Sequence, residues 1–290
     1  MITFCLNEQP SSRGFDNAQR PRLAFICRAE GKEAAMPRVM HKHEDRFEIM
    51  FIRAGSGIYN IDGRSYHVRQ GDVILFNANV LHDESPTETD DLLIFSCGIE
   101  QLKVDGLPMN VLTTRAQPAV MPCGEYYDEI CQLFDLMWSH INTKHLYSSE
   151  IADNLLNVLL LLCRRIWMEN KQTLENSEIL LGQRIKDFID AHYKDDIALS
   201  SITAALNMNI FYLSHVFKAY SGYSPKHYQT RRRIGEAQNI LLSTDLGITE
   251  VANAVGYDNV NNFHRIFHNI VGIPPARYKK FWLNGQRKIK

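Results

Sequence analysis

The run HKHEDRFE (41–48) places His41 and His43 two residues apart, and Glu48 follows five residues after His43. Alternate residues of a strand point to one face, so the two imidazoles would look the same way. Two imidazoles and a carboxylate are ligand types for zinc, iron, nickel or manganese. The same groups also serve as polar lining for a small-molecule pocket. Arg38 and Arg46 flank the run, and either guanidinium suits a sugar or an organic acid; on the rim, both would make ordinary salt bridges.

The chain that must position these groups has 290 residues, 45% hydrophobic and 22% charged. That is ordinary globular composition and length for about two domains. The first residues, MITFCLNEQP, lack a basic region followed by an apolar core, so no signal peptide is expected. The most apolar run, LLNVLLLLC (155–163), is too short to span a bilayer and reads as a buried helix. Six cysteines carry no CxxC pair, which argues against a zinc knuckle and a secreted disulfide framework and for the reducing cytoplasm.

The net charge of -1 hides an asymmetry. Residues 1–180 hold 17 Lys+Arg against 25 Asp+Glu; residues 181–290 hold 15 against 8. A basic C-terminal third points to nucleic acid at that end.

Residues about 20–105 alternate apolar and polar in short runs punctuated by Gly and Asp, the pattern of a compact antiparallel barrel or sandwich. Ile49, Phe51, Tyr59, Tyr66, Ile74, Phe76 and Phe95 are candidate pocket walls. Residues about 123–168 switch to helical period. Ile151, Leu155, Val158, Leu159 and Leu162 share one stripe of a Leu-rich second helix, wide enough to pack on the barrel and on another subunit. ENKQTLENSE (169–178) is polar and lacks period, so the expected organisation is a domain at 1–168, a linker at 169–180 and a domain at 181–290.

The C-terminal part contains an internal repeat. Asn209, Leu213, Phe217, Gly222, Pro225 and Tyr228 match Asn259, Phe263, Phe267, Gly272, Pro275 and Tyr278, each 50 residues on. Each copy reads as helix, tight turn, helix, over 199–221 and 248–271. Thr249, Asn209 and Asn259 are expected N-caps, and Asn207 and Gly256 suit left-handed backbone. A helix-turn-helix suits DNA because its second helix fits the major groove. The outward residues are Phe211, Ser214, His215 and Lys218 in the first copy, and Asn261, His264 and Arg265 in the second. Arg265 matches guanine edges, Asn261 adenine, and Phe211 a thymine methyl. Lys218 and Arg231–Arg233 read as phosphate contacts or solvated surface.

At these residues the chain resembles the AraC/XylS family of bacterial transcription regulators, over about 185–282. The Arg233–Ala237–Leu241-Leu242 helix, the Ile-Ala-Val-Gly-Tyr block around 248–257 and the Phe-Arg-Phe-Gly-Pro block at 263–275 fall in family order. Thr203, Asn207, Asn209, Asn259 and His268 depart from the family's usual residues, and His268 removes a common Lys. The N-terminal part resembles the cupin-type sensor of many members: residues 41–55 fit H-x-H-x4-E-x6-G, and GDVILFNANVLH (71–82) resembles the second cupin motif, with His82 in the ligand position. The resemblance implies an α+β protein of two domains, a cupin-like β-barrel with helical hairpin followed by an all-α domain with two helix-turn-helix units. It implies a small-molecule effector in a pocket of Arg38, His41, His43, Glu48, Tyr59 and His82, and double-stranded DNA, a second copy of the chain and RNA polymerase as partners, with activation as the outcome. His41, His43, Glu48 and His82 would hold a divalent metal if one were present. No cofactor, catalysis or membrane association is expected. The competing readings are a metal-dependent cupin enzyme fused to a DNA-binding tail, and a DNA-binding dimer without effector.

Overall fold

The computed structural model describes residues 2–5, 20–31, 38–85, 91–114, 117–169, 177–196 and 199–287. Among the described residues ten strands form two antiparallel sheets. The larger runs β1 (Ile2–Cys5), β2 (Arg22–Glu30), β9 (Leu93–Glu100), β4 (Phe47–Ala54), β7 (Asp72–Phe76), β10 (Val120–Pro122). The smaller runs β3 (Arg38–His41), β8 (His82–Ser85), β5 (Ser56–Ile61), β6 (Arg64–Arg69). The strands therefore make an open double sheet of cupin type rather than a hydrogen-bonded closed barrel. Two of them, β1 and β10, lie outside the expected 20–105 span.

The large sheet is covered on both faces, so its central strands are buried on both sides rather than alternating. Phe47, Ile49 and Phe51 of β4 pack with Phe95 and Val73 against the helical hairpin α1 (Tyr127–Thr143) and α2 (Ser148–Glu169). Met50 and Ile52 point the other way, into the inter-sheet core with Tyr59, Ile61, Ile74 and Phe76. Ile49, Phe51 and Phe95 are thus not pocket walls. Both faces of β4 are apolar, so hydrophobicity could not tell the helix side from the pocket side.

Helix α2 is tied to β2 by the Leu23 N–H donating to Asp153 Oδ1 at 2.9 Å. Its buried stripe is Ala152, Leu156, Leu159, Cys163 and Ile166. Of the expected stripe Leu159 and Leu162 are buried and Leu155 packs against the core, whereas Ile151 and Val158 are exposed, with Leu161 and Met168. Leucines on every side of the helix had left the phase open.

Helix α3 (Ser177–His192) follows, so of the expected linker 169–180 only 170–176 falls between helices, and those residues lie outside the described ones. Then come α4 (Leu199–Leu206), α5 (Ile210–Ser221), α6 (Pro225–Ser243), α7 (Ile248–Ala254), α8 (Val260–Val271) and α9 (Pro275–Arg287). The pairs α4–α5 and α7–α8 are the two helix-turn-helix units. Asn207 has φ 51° and Gly256 φ 87° in the turns. Asn209 caps α5 through the Phe211 N–H, and Asn259 caps α8 through the Asn261 and Asn262 N–H groups. Thr249 is not a cap. Helix α7 starts one residue after Gly247, whose N–H donates to the Glu250 carboxylate at 2.7 Å.

Candidate functional site

The paired register of β3 and β8 sets His41 opposite His82. Their ring centroids stand 4.2 Å apart, and His43 lies 5.0 Å from His41 and 5.5 Å from His82. His82 also stacks on Phe76, at 4.2 Å. Its Nδ1 lies 3.0 Å from the Val80 carbonyl, which fixes the tautomer with the proton on Nδ1 and directs Nε2 into the cluster. One ligand atom from each of the three imidazoles lies within 4.8 Å of the others.

Glu48 is buried beside them but belongs to a different pairing. Arg46 Nε donates to its Oε1 at 2.8 Å, and His43 Nε2 lies 3.1 Å from the same oxygen. Arg46 Nη2 stands 2.7 Å from His43 Nδ1. The guanidinium therefore grips both the carboxylate and one imidazole, and a fixed cation at that distance opposes a dication bound to His43. The three histidines fit a metal by type and spacing, whereas the four-ligand cage with Glu48 does not. Tyr59 is buried in the inter-sheet core, two residues along β5 from Ile61, the partner of His82. Arg38 begins β3; its side chain lies outside the described residues.

The end of the small sheet that carries His41 and His82 is also the seat of the C-terminal helices, a relationship that no motif in the sequence announced. Strand β3 carries an irregularity between Arg38 and His41, with Met40 at φ 30°. There the Val39 and Met40 carbonyls press on Gly235 of α6, where a Cβ would lie 2.2 and 2.3 Å from their oxygens. Val39, Met40 and Leu81 share one apolar core with Ile185, Tyr220, Ile234 and Leu241. The Val39 N–H donates to Gln238 Oε1 at 2.9 Å. Arg231 of α6 donates to Asp83 Oδ2 through Nε at 2.8 Å and Nη2 at 2.5 Å, both side chains buried. The β5–β6 turn is held as well. Lys186 of α3 reaches Asp62 at 2.9 Å and Asp190 at 3.0 Å, the Tyr220 hydroxyl donates to the Asp62 carbonyl, and the Asn60 amide donates to the Ser221 carbonyl. Burial works against the charge on Lys186, but Asp190 and Asp62 outweigh it and raise its pKa above the ordinary lysine value. Part of the charge asymmetry between the two halves is therefore spent inside the molecule.

Arg231–Arg233 are correspondingly not phosphate contacts. Arg232 pairs with Glu236 at 2.9 Å and stacks on Tyr193. Arg233 donates to the carbonyls of Tyr193, Lys194, Asp195 and Gly256, joining the end of α3 to the second unit. The outward faces of α5 and α8 fall where the repeat placed them. Phe211, His215 and Lys218 are exposed and Ser214 half-buried; Asn261 and Arg265 are exposed and His264 half-buried. Arg265 Nη2 donates to Asn262 Oδ1 at 2.9 Å.

Among the described residues no helix is long and apolar enough to cross a membrane. The family model described as an AraC-like ligand binding domain matches residues 26–161, and that described as a helix-turn-helix domain matches 202–280. An uncharacterized HTH-type transcriptional regulator of Escherichia coli K12, YdiP, is 25% identical over 84% of this chain and 82% of its own length. The HTH-type transcriptional activator RhaS of Shigella boydii serotype 18 is 24% identical over 78% and 82%. The C-terminal domain of AraT, a response regulator from Geobacillus stearothermophilus, is 34% identical over 35% of this chain and 84% of that one, with a TM-score of 0.34. YdiP and RhaS are both transcriptional regulators of the helix-turn-helix type. With a ligand-binding double sheet and two helix-turn-helix units in one chain, the protein belongs to the AraC/XylS family of DNA-binding transcription regulators.

Proposed function

We propose that the protein activates transcription in response to a small polar effector, a sugar or an organic acid, bound at the His41–His43–His82 cluster. The observation that carries this reading is adjacency. His41 follows the β3 irregularity that seats α6, and His82 is followed directly by Asp83, the partner of Arg231. A ligand that moves β3 or β8 alters the surface on which the DNA-binding helices sit, and so changes the balance between two arrangements. His41 and His82, with the Arg46–Glu48 pair beside them, present polar groups suited to carboxylates and hydroxyls. In this reading the histidines serve the effector rather than a resident metal.

The exposed Ile151, Val158, Leu161 and Met168 on α2 suit a second copy of the chain, giving a cytoplasmic homodimer. Two pairs of units then meet duplex DNA, with RNA polymerase as the further partner. Duplex selection from random sequence, combined with a thermal-shift screen of sugars and acids, tests the reading. An effector raises the melting temperature of the wild type and not of His41→Ala. Stoichiometric metal in the purified protein, lost in His41→Ala/His43→Ala, would replace the pocket by a metal centre.

A further inference from the structure

The small sheet carries one row of paired residues across all four strands: His41, His82, Ile61 and Arg64. Directly opposed residues share a face, so Arg64 looks the same way as His41 and His82. It stands two strands from His82, about 10 Å away. Ile61, buried in the inter-sheet core, separates the two polar ends of the row. Strand β6 is the last of this sheet and β10 the last of the other, and these two edges do not pair. A cleft of about 40 Å³ opens beside that seam, with Arg64 and Tyr66 on one wall and Asn77, Thr113, Thr114 and Gln117 on the other.

Arg46 and Arg53 each hold a carboxylate, Glu48 and Asp135 respectively. Among the described residues no carboxylate pairs with Arg64; Asp62 also lines the cleft, but Lys186 takes it at 2.9 Å. The Arg64 guanidinium lies between phenols instead. Its central carbon is 5.9 Å from the centre of the Tyr220 ring. Burial raises the pKa of the Tyr66 hydroxyl, and the Arg64 charge opposes that rise. Gln117 accepts the Thr114 N–H at 3.0 Å through Oε1, leaving its Nε2 as a donor on the cleft wall. A half-buried guanidinium without a counter-ion, beside a hydroxyl and an amide donor, is matched by an anion. The cleft has room for about three water molecules, which suits a carboxylate or phosphate group and excludes a whole sugar. We propose that this cleft is an anion site, separate from the histidine cluster, that binds the carboxylate or phosphate group of a small molecule on Arg64, Tyr66 and Gln117.

The test uses the full chain and two probes, inorganic phosphate and acetate, each compared with chloride at equal ionic strength. Phosphate, acetate or both should raise the melting temperature of the wild type, and equally that of His41→Ala. The probe that acts names the acid group. Arg64→Gln should need at least about ten-fold more of that anion for the same response, the worth of one charge-assisted hydrogen bond. A second reading uses the wild type alone. Phenylglyoxal modifies arginine, and the active anion should slow its reaction with Arg64, followed by peptide mass. No response beyond chloride from either anion, or Arg64→Gln responding as the wild type does, overturns the proposal. Should Arg64→Gln not fold, labelling of Arg64 that neither anion slows overturns it instead. A response lost in a folded His41→Ala would make the cleft part of the histidine cluster and overturn the separate site.

Discussion

Arg231 and Asp83 form a buried ion pair, with two guanidinium N–H groups on one carboxylate oxygen, between the helix that joins the two DNA-binding units and the strand that carries His82. They are 148 residues apart in sequence. Removing one partner of a buried pair leaves an uncompensated charge, whereas replacing both with apolar groups is near neutral. Arg231→Met alone is expected to cost about 3–5 kcal/mol of stability in urea unfolding. The double variant Arg231→Met/Asp83→Leu should recover most of that loss. Equal destabilisation by the single and double variants would show that the pair is not the source.

Arg233 acts through four carbonyls rather than through DNA. Arg233→Ala should lower the melting temperature and leave the salt slope of DNA binding unchanged. Lys218→Ala should do the reverse, leaving stability alone and reducing the slope by about 0.9.

Arg265→Ala is expected to relax preference at one base pair, at a cost of about 1–3 kcal/mol. Binding competitions against single-position operator variants measure this. Uniform weakening on all sequences would make Arg265 a phosphate contact.

Burial raises the Cys123 thiol to about 11 and the Cys163 thiol to about 12 from an ordinary 9.0. At pH 8 neither is expected to react with iodoacetamide in the folded protein, while both react in urea. The sign follows for stability. Below pH 9 the thiols are protonated in both states and contribute no difference; above it the unfolded chain ionises first. The melting temperature should therefore fall as pH rises from 9 towards 12.

Much of this was legible in the sequence, for identifiable reasons. The repeat, its Asn caps and the outward residues of α5 and α8 follow from local spacing, which survives any packing. His41 and His82 meet because β3 pairs with β8, whereas His43 lies in the loop after β3 and reaches His41 without the strand alternation expected of the pair. What escaped was set by partners distant in the chain. Ile49, Phe51 and Phe95 looked like pocket wall because a sheet covered on both faces is apolar on both. Arg231–Arg233 looked solvated because Asp83, Tyr193 and Gly256 are invisible from a run of three arginines. Ile151 and Val158 share a stripe of α2 with the buried Leu159 and Leu162 by spacing, yet both are exposed, because leucines run around much of that helix and leave its facing side to be set by the sheet.

Gly235 gives the most direct test of the central claim, that the small sheet of the sensor holds the DNA-binding helices. Alanine there favours an isolated helix by about 1 kcal/mol, yet its Cβ would meet the Val39 and Met40 carbonyls at little over 2 Å. Hydrogen–deuterium exchange on wild-type and Gly235→Ala protein reads the consequence. The expected result is a joint rise in exchange in β3, β8, the β5–β6 turn and the facing parts of α3 and α6, with α1 and α2 unchanged. Unaltered exchange in β3 and the β5–β6 turn would contradict the docked arrangement.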